Sequence, residues 1–421
     1  MMSMLQHTPI TLTPMRYVCV VSQYNLPSLE ACLARKPSEV SLIITGSFEK
    51  AGKRLRRELE KLLPGIEVHE LRGSLAHPLE GEEVISTLDW GINVLGPHLT
   101  ATRREDLPIV LNFTGGTKAM SLALLHAIEW HELDYKANGR SELQVLQFRQ
   151  GNLKEKARLP LEDVAPIHIA HLHEDDVHET PNAIVSTPDN ASENLALRFW
   201  RAQADADPNL GHLFATLEKV WVIESDDSRW QRRHITLPWS EFDSSRESLT
   251  PWLESLQHLA PEELRWDSSG VTLPGNKVKG KARSLRDWIS GIWLEEVAYL
   301  WLLNAGIPPG QIARNLRSGP SSTQSASQRE ADLLIHWRQK TYLIEVKAGL
   351  PPGHAPSELE TQLSSLVDRF GSTQKALFIG PALQRNLQKE HRWEAFQQRC
   401  QASRIRMIVD PEDLNSLFVK I

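Results

Sequence analysis

The stretch EADLLIHWRQKTYLIEVK, residues Glu330–Lys347, decides the fold of the C-terminal part of this chain. Apolar residues alternate with charged or polar residues in both halves of the stretch, which is the side-chain period of a β-strand. The segment Trp337–Lys340 is the only connection between the halves. The pattern therefore predicts an antiparallel hairpin in which each strand has one wholly apolar face and one face that carries the charges.

A symmetric loop of two or four residues places Asp332 opposite Glu345 and Glu330 opposite Lys347. Two carboxylates that face each other across a strand pair repel. Mg²⁺ or Mn²⁺, which prefer oxygen ligands, would turn that repulsion into attraction, and the carbonyl of Val346 offers a further ligand. Because Lys347 lies on the same face as Glu345, its ammonium could stabilise charge on a phosphate. The hairpin thus predicts a metal-dependent catalytic site.

The alternative interpretation is a surface hairpin with an ordinary Glu–Lys face, because an isolated Glu-x-Lys occurs often by chance. The surrounding pattern favours the catalytic interpretation. A predicted helix at 285–303 carries the adjacent acids Glu295 and Glu296, and a helix at about 357–369 and a strand at 375–379 follow the hairpin. The helical pattern alone does not separate the two acids.

The first third of the chain alternates between predicted strands and helices. Short apolar runs at 17–21, 40–44 and 109–113 are typical of strands that are buried on both faces. The segments 46–63 and 118–131 have helical spacing, and the alternating run 143–148 predicts a strand nearer an edge. This order predicts a doubly wound, mostly parallel sheet.

The segment NFTGGTKAM, residues Asn112–Met120, lies where a predicted strand ends and a predicted helix begins. Paired glycines allow a tight turn, and the N–H groups of a helix start suit an anion. Thr114, Thr117 and Lys118 add hydroxyls and a cation. The pattern is neither a Walker A loop nor the Rossmann glycine fingerprint, which disfavours ATP and NAD. The alternative is simply a capped helix after a tight turn.

Residues 285–421 resemble the PD-(D/E)xK, or restriction-endonuclease-like, nucleases. The resemblance implies that Asp332 and Glu345 bind Mg²⁺ or Mn²⁺ and that Lys347 is the catalytic lysine. It also implies a further acid on the preceding helix, Glu295 with Glu296 as its close rival, and a polar residue near the site that Gln362 matches. The literal motif has proline before its aspartate, where this chain has alanine.

Residues 15–155 resemble the CRISPR-associated Rossmann fold (CARF) sensor domain. Combined with the nuclease pattern, the chain resembles the cyclic-oligoadenylate-activated CRISPR ancillary nucleases (the DUF1887 group). The resemblance implies a homodimer that binds cyclic tetra-adenylate and cleaves DNA or RNA with metal-activated water. A ligand-binding role is implied for the motif residues and for two residues after the first strand: Asn112, Thr114, Gly115, Gly116, Thr117 and Lys118, with Ser22 and Gln23. The alternatives are a catalytically silent sensor that recruits a partner and a ring nuclease that degrades its own ligand.

The 421 residues are too many for one ordinary core. We expect an α/β protein with a Rossmann-like CARF domain at 1–160, a connector region at 161–280 and a restriction-endonuclease-like αβ domain at 281–421. Four histidines in the connector region lie beside acidic residues without the spacing of a known metal motif, and we interpret them as part of a polar connector: His168, His171, His173 and His178.

The net charge of −6 indicates that any contact with nucleic acid uses a local patch, for which the basic run 277–286 is a candidate. Three dispersed cysteines favour reduced thiols in the cytosol and disfavour a zinc knuckle. Residues 1–13 lack a basic region followed by an apolar core. We therefore expect a cytoplasmic protein without a secretion signal and without a membrane partner.

Overall fold

The protein is described by a computed structural model. It describes residues 10–80, 83–101, 107–112, 115–131, 135–138, 144–149, 152–158, 163–179, 194–214, 216–217, 234–242, 244–274, 285–318, 330–349, 358–359, 363 and 373–419. The chain divides into two compact units, the first built mainly from Met1–Val177 and the second from His178–Arg317, Ser325–Asp368 and Thr373–Ile421. Within the described part of the chain, none of the helices has the length and apolar character that a membrane span requires.

The first unit is built around a sheet in which seven strands are described, in the order β3-β2-β1-β4-β5-β6-β7. The first five of these are mutually parallel, and β6 and β7 are antiparallel additions. The strands are β1 Thr13–Val20, β2 Pro37–Ile44, β3 Glu67–Arg72, β4 Ile109–Asn112, β5 Tyr135–Asn138, β6 Gln144–Arg149 and β7 Asn152–Arg158. The helices are α1 Leu26–Arg35, α2 Glu49–Leu62, α3 Val84–Trp90, α4 Gly96–Ala101, α5 Lys118–Trp130 and α6 Pro166–His173.

Both faces of this sheet are covered, which explains the continuous apolar runs of its strands. On β1, Tyr17 and Cys19 belong to one hydrophobic cluster with residues of α1, α2 and α6. The alternate residues Val18 and Val20 belong to a second cluster with Trp90 and residues of α5. This Rossmann-like sheet confirms the predicted α/β fold class. The strands β3, β5 and β7 were not predicted, because they lack the short apolar runs that indicated β1, β2 and β4.

In the second unit, the described strands form a mixed sheet of six, in the order β16-β15-β14-β13-β12-β8, and a separate sheet of three, in the order β10-β11-β9. Its strands are β8 Val177–Glu179, β9 His234–Pro238, β10 Arg265–Trp266, β11 Gly270–Pro274, β12 Ile312–Ser318, β13 Glu330–Trp337, β14 Lys340–Lys347, β15 Thr373–Ile379 and β16 Ile405–Ile408. Its helices are α7 Leu195–Ala204, α8 Arg246–Leu259, α9 Trp293–Asn304, α10 Pro381–Lys389, α11 Trp393–Ala402 and α12 Pro411–Val419.

The hairpin β13–β14 forms in the predicted register. Leu333 pairs with Ile344, and the pairing continues to Trp337 and Lys340. The loop therefore has two central residues, Arg338 at φ 49° and Gln339 at φ 62°. Positive φ at both positions is the geometry of a type I′ turn, the turn that matches strand twist in hairpins. The turn forms here without the Asn-Gly sequence that is typical of type I′ turns.

A single hydrophobic cluster joins the apolar face of the hairpin to helices from a wide span of the chain. Leu333 and Ile344 share this cluster with Trp293 of α9, Phe199 of α7 and Leu253 of α8. Part of the segment 161–280 therefore packs into the second unit as structured helix and sheet. The predicted limits of the three domains remain predictions, and the strand we expected at 220–223 lies outside the described residues.

Candidate functional site

The two carboxylates of the hairpin lie next to each other in the interior of the second unit. Continued by one residue, the observed register sets Asp332 of β13 opposite Glu345 of β14. The two residues are 8% and 5% exposed, so both carboxylates are largely withdrawn from water. The Oδ2 atom of Asp332 accepts a hydrogen bond of 2.7 Å from the backbone N–H of Val346. This bond fixes the orientation of the Asp332 side chain across the strand pair.

Lys347 contacts both carboxylates. Its Nζ atom donates a hydrogen bond of 2.6 Å to Oε1 of Glu345 and lies 3.7 Å from Oδ2 of Asp332. Burial alone would lower the pKa of Lys347, but the charges of Asp332, Glu345 and Glu295 outweigh burial and raise it. The ammonium is therefore held in its charged form, so this side chain can stabilise negative charge but cannot act as a base near neutral pH.

Glu345 has the least favourable electrostatic environment of the three residues. Burial, followed by the charge of Asp332, raises the pKa of Glu345 to about 8, although Lys347 acts in the opposite direction. Within the described part of the chain, its Oε2 atom is buried and has no hydrogen-bond partner. A buried carboxylate oxygen without a partner costs free energy, and a divalent cation would remove that cost. The donor set fits Mg²⁺ or Mn²⁺, which favour carboxylate oxygens.

The helix α9 contributes acids to the same region. Glu295 and Glu296, in its first turn, are both buried. The charge of Glu295 is among those that raise the pKa of Lys347, which shows that Glu295 lies within electrostatic reach of the site. This electrostatic interaction supports Glu295 as the additional acid, with Glu296 still its alternative. Gln362 lies outside the described residues.

The glycine motif of the first unit lies at the carboxyl edge of the sheet. Gly116 has φ +75°, in the left-handed region that favours glycine. A Cβ atom on Gly115 would lie 2.0 Å from the carbonyl oxygen of Val20, so only glycine fits against the end of β1. Thr117 caps helix α5 by accepting a hydrogen bond of 3.1 Å from the backbone N–H of Met120. The motif is therefore both a tight turn and a helix start.

The loop after β1 lies beside this turn. A Cβ atom on Gly115 would be 3.7 Å from Cβ of Ser22, so the two segments we selected from the sequence are neighbours. Ser22 is held by Asn25, whose Oδ1 accepts from the Ser22 N–H at 3.0 Å and whose Nδ2 donates to the Ser22 carbonyl at 2.9 Å. The next residue, Gln23, is exposed.

Other residues of the predicted ligand site are placed as follows. Asn112, at the end of β4, is buried and donates a hydrogen bond of 3.2 Å to Oγ of Ser28 on α1. Gly116, Thr117 and Lys118 are exposed. Sequence reasoning missed the positioning contact of Ser28, because no motif links a helix residue to a strand end 84 positions away. Thr114 lies outside the described residues, as does most of the basic run 277–286.

Comparison with known proteins gives similarity at the level of structure. No family model matches the chain, and a search of curated proteins found no match. Among solved structures, the chain is similar to Can2 from Sulfobacillus thermosulfidooxidans in complex with cyclic tetra-adenylate, with a TM-score of 0.62, 17% identity and coverage of 96% of this chain and 98% of that one. It is also similar to protein VC1899 from Vibrio cholerae, with a TM-score of 0.64, 14% identity and coverage of 96% of each chain. At these identities the likeness establishes the fold, which is a Rossmann-like sheet followed by a mixed α/β unit across nearly the whole chain.

Proposed function

We propose that this protein is a type III CRISPR ancillary nuclease, activated by cyclic oligoadenylate and dependent on a divalent metal. The observation that carries the proposal is the pair of buried carboxylates of Asp332 and Glu345, with the partly exposed Lys347 in contact with both. Two buried carboxylates beside one lysine suit metal-dependent phosphodiester hydrolysis, because the acids can hold a divalent cation and the lysine can stabilise charge on a phosphate.

In this proposal each residue has a separate task. A divalent cation held by Asp332 and Glu345 would supply Lewis-acid chemistry for phosphodiester hydrolysis. The Val346 N–H orients Asp332, so that one of its oxygens is fixed across the strand pair. Lys347, kept protonated by the surrounding acids, stabilises the charge that develops on the phosphate. Glu295 adds negative charge that holds Lys347 in its charged form.

The proposed activator is cyclic tetra-adenylate, bound at the carboxyl edge of the first sheet. Two features support this site. Open α/β sheets bind ligands at this edge, and the N-terminus of α5, with Thr117 and Lys118, suits the phosphates of such a ligand. The structure of Can2, which shares the fold, was solved with cyclic tetra-adenylate. A symmetric cyclic ligand also suits a homodimer with an isologous interface, which is the assembly we propose.

The direct test is a cleavage assay across substrate classes. Plasmid DNA, single-stranded DNA and single-stranded RNA are incubated with Mn²⁺ or Mg²⁺, with and without cyclic tetra-adenylate. We expect cleavage that needs both the metal and the cyclic nucleotide. Cleavage that is indifferent to the nucleotide would refute the gating, and absence of cleavage in all arms despite nucleotide binding would favour a silent sensor. Chromatography of the nucleotide after incubation reports whether the first unit degrades it.

A further inference from the structure

A second cluster of metal-ligand side chains lies in the first unit and shares no residue with the proposed ligand site. Glu58 is on α2, and His168 and His171 are on α6, which packs against α2. One potential ligand atom from each residue lies within 4.8 Å of the others. The two histidines are three positions apart and therefore share one face of their helix. We call this group the Glu58 cluster.

Both imidazole rings turn the same nitrogen toward the carboxylate. Nδ1 of His168 lies 2.8 Å from Oε2 of Glu58, and Nδ1 of His171 lies 3.5 Å from Oε1. The Glu58 side chain is 1% exposed, and the two histidine side chains are 15% and 17% exposed. Each oxygen of one buried carboxylate thus faces its own imidazole nitrogen, in a setting that excludes most water.

The hydrogen bond of His171 Nε2 determines whether the other ring nitrogen, Nδ1, carries a proton or a lone pair. Nε2 of His171 lies 3.0 Å from the carbonyl oxygen of Val177, which can only accept, so Nε2 carries the proton. In the neutral ring Nδ1 then presents a lone pair toward Oε1 of Glu58. Within the described residues this buried Nδ1 has no hydrogen-bond partner. A lone pair that faces a carboxylate oxygen is repulsive unless a proton or a metal cation lies between them.

The contact of His171 with Val177 is also the contact that metal-binding histidines usually make. A ligating imidazole donates its other N–H to a carbonyl or carboxylate, which fixes the ring and its tautomer. Tetrahedral zinc sites with bonds of about 2.0–2.1 Å separate their ligand atoms by about 3.3 Å. The 3.5 Å separation between Nδ1 of His171 and Oε1 of Glu58 is close to this value. Nδ1 of His168 lies 2.8 Å from the other oxygen, Oε2, so a bound ion requires a small shift of the His168 ring or of the carboxylate.

One nearby cation works against a metal. Nε of Arg57 lies 3.4 Å from Oε1 of Glu58, and its side chain is 48% exposed. The same guanidinium contacts Asp175, which is also paired with Arg54. Because Arg57 also contacts Asp175 and is partly exposed to solvent, its guanidinium can move away from Oε1 of Glu58 and still keep a carboxylate partner. Its charge would weaken the affinity for a dication without blocking the ligand atoms.

We propose that the Glu58 cluster is a binding site for a zinc-class divalent ion, with Nδ1 of His168, Nδ1 of His171 and a carboxylate oxygen of Glu58 as its ligands. Two imidazoles and one carboxylate are the ligands that zinc, cobalt and nickel favour, whereas magnesium favours oxygen alone. The ion would fasten α6 to α2. The site is independent of the proposed nuclease chemistry, since all three ligands belong to the first unit and the nuclease residues belong to the second.

The test uses the full-length, tag-free protein with Asp332→Asn and Glu345→Gln, so that the proposed nuclease site contributes no tight metal binding. After treatment with a chelator, the protein is titrated with Zn²⁺ by calorimetry and with Co²⁺ by visible absorption. We expect one equivalent per chain, an absorption spectrum typical of four-coordinate Co²⁺, and a Zn²⁺-dependent rise in the melting temperature. Mg²⁺ should not compete for the site.

Variants then assign the ligands. In the same background, His171→Gln, His168→Gln and Glu58→Gln should each weaken Zn²⁺ binding by more than the ~10- to 100-fold that the loss of a supporting contact causes. The matched control is His77→Gln, because His77 forms a surface pair of 2.9 Å with Asp89 and, among the described residues, belongs to no three-residue group. Arg57→Gln should tighten binding. Circular dichroism establishes that each variant is folded.

Three results would overturn the site. The first is a parent protein that takes up no stoichiometric Zn²⁺. The second is binding that survives in folded His171→Gln and Glu58→Gln. The third is a loss of binding in His77→Gln equal to the loss in His171→Gln. Any of these results would leave Glu58 as the carboxylate of an imidazolium ion pair.

Discussion

Nζ of Lys347 donates a hydrogen bond of 2.6 Å to Oε1 of Glu345, the residue two positions before it on the same face of β14. This contact neutralises one oxygen of a carboxylate whose other oxygen, within the described part of the chain, has no hydrogen-bond partner. Lys347 also lies 3.7 Å from Asp332. One ammonium thus faces two buried carboxylates, and the remaining negative charge is what a divalent cation would balance.

The first prediction concerns Asp332→Asn. The asparagine oxygen can still accept the hydrogen bond from the Val346 N–H, so we expect the fold to persist, while the loss of charge removes a proposed metal ligand. Metal- and nucleotide-dependent cleavage should fall by at least about 10²-fold, the upper range for loss of a contact that only supports a ligand. Cleavage rates and thermal unfolding measure the two effects separately.

The matched control for this prediction is Glu330→Gln, two positions earlier on β13. Glu330 pairs with Arg317 at 3.0 Å, and its carboxylate is less buried than that of Asp332. We expect a cleavage rate within a few fold of the parent. Equal losses in the two variants would mean that general charge near the hairpin, not ligation by Asp332, supports activity.

The second prediction concerns the pH dependence of stability in the metal-free protein. Burial and the charge of Asp332 raise the pKa of Glu345 to about 8 from its ordinary value of 4.5. Between these values the folded chain holds a proton that the unfolded chain releases, so the contribution of Glu345 to stability is present below 4.5 and is lost as the pH rises through about 8. Glu345→Gln removes this dependence.

Melting temperatures of chelator-treated protein at about pH 5 and about pH 8.5 measure the effect. The parent should lose more stability across this interval than Glu345→Gln does. Mn²⁺ should raise the melting temperature of the parent most at the higher pH, because the cation then replaces a missing proton. Parallel pH profiles for parent and variant would contradict the raised pKa of Glu345 in the folded chain.

The third prediction concerns Gly115→Ala. Its new Cβ would lie 2.0 Å from the Val20 carbonyl oxygen, so the turn must move away from the end of β1. We expect a loss of stability of about 1–3 kcal/mol, as for overpacked interiors. Binding of cyclic tetra-adenylate should weaken at least about tenfold, or 1.4 kcal/mol, because the displaced turn changes its position relative to Ser22 in the proposed ligand site.

Gly46→Ala is the control for this substitution, because no described atom lies within 4 Å of a Cβ at that position. It should leave both melting temperature and nucleotide affinity unchanged. Calorimetric titration with cyclic tetra-adenylate and thermal unfolding supply both readouts. A Gly115→Ala protein that binds the nucleotide as tightly as the parent would remove the glycine turn from the proposed ligand site.

The fourth prediction concerns the hairpin turn. Gln339 has φ 62°, a conformation that costs a residue with a Cβ roughly 1–2 kcal/mol. Gln339→Gly should therefore stabilise the protein by up to about 1 kcal/mol, and Gln339→Val should destabilise it, because a β-branched residue fits this region poorly. Urea unfolding with an unchanged m-value would measure both. Opposite signs would show that other contacts of Gln339 outweigh its backbone strain.

The register of the hairpin was predictable from the sequence because its causes are local. The alternation of apolar and charged residues fixes the faces of β13 and β14, and a connection as short as Trp337–Lys340 leaves few ways to pair them. The same holds for the glycine turn, since Gly115 and Gly116 follow a strand end directly. Even so, the sequence did not reveal that the charged face is also covered. His336 and Leu343 on that face are fully buried.

What the sequence by itself determined is therefore the pair Asp332 and Glu345, the strand register that joins them, and the position of the glycine turn. Only the tertiary structure decided that Glu295 reaches Lys347 and that Glu58 meets His168, which is 110 residues away. The physical reason is the range of the interactions. Strand period and turn length act between neighbours along the chain, whereas the packing of α9 and of α2 with α6 depends on how whole elements bury their apolar faces, which no local pattern encodes.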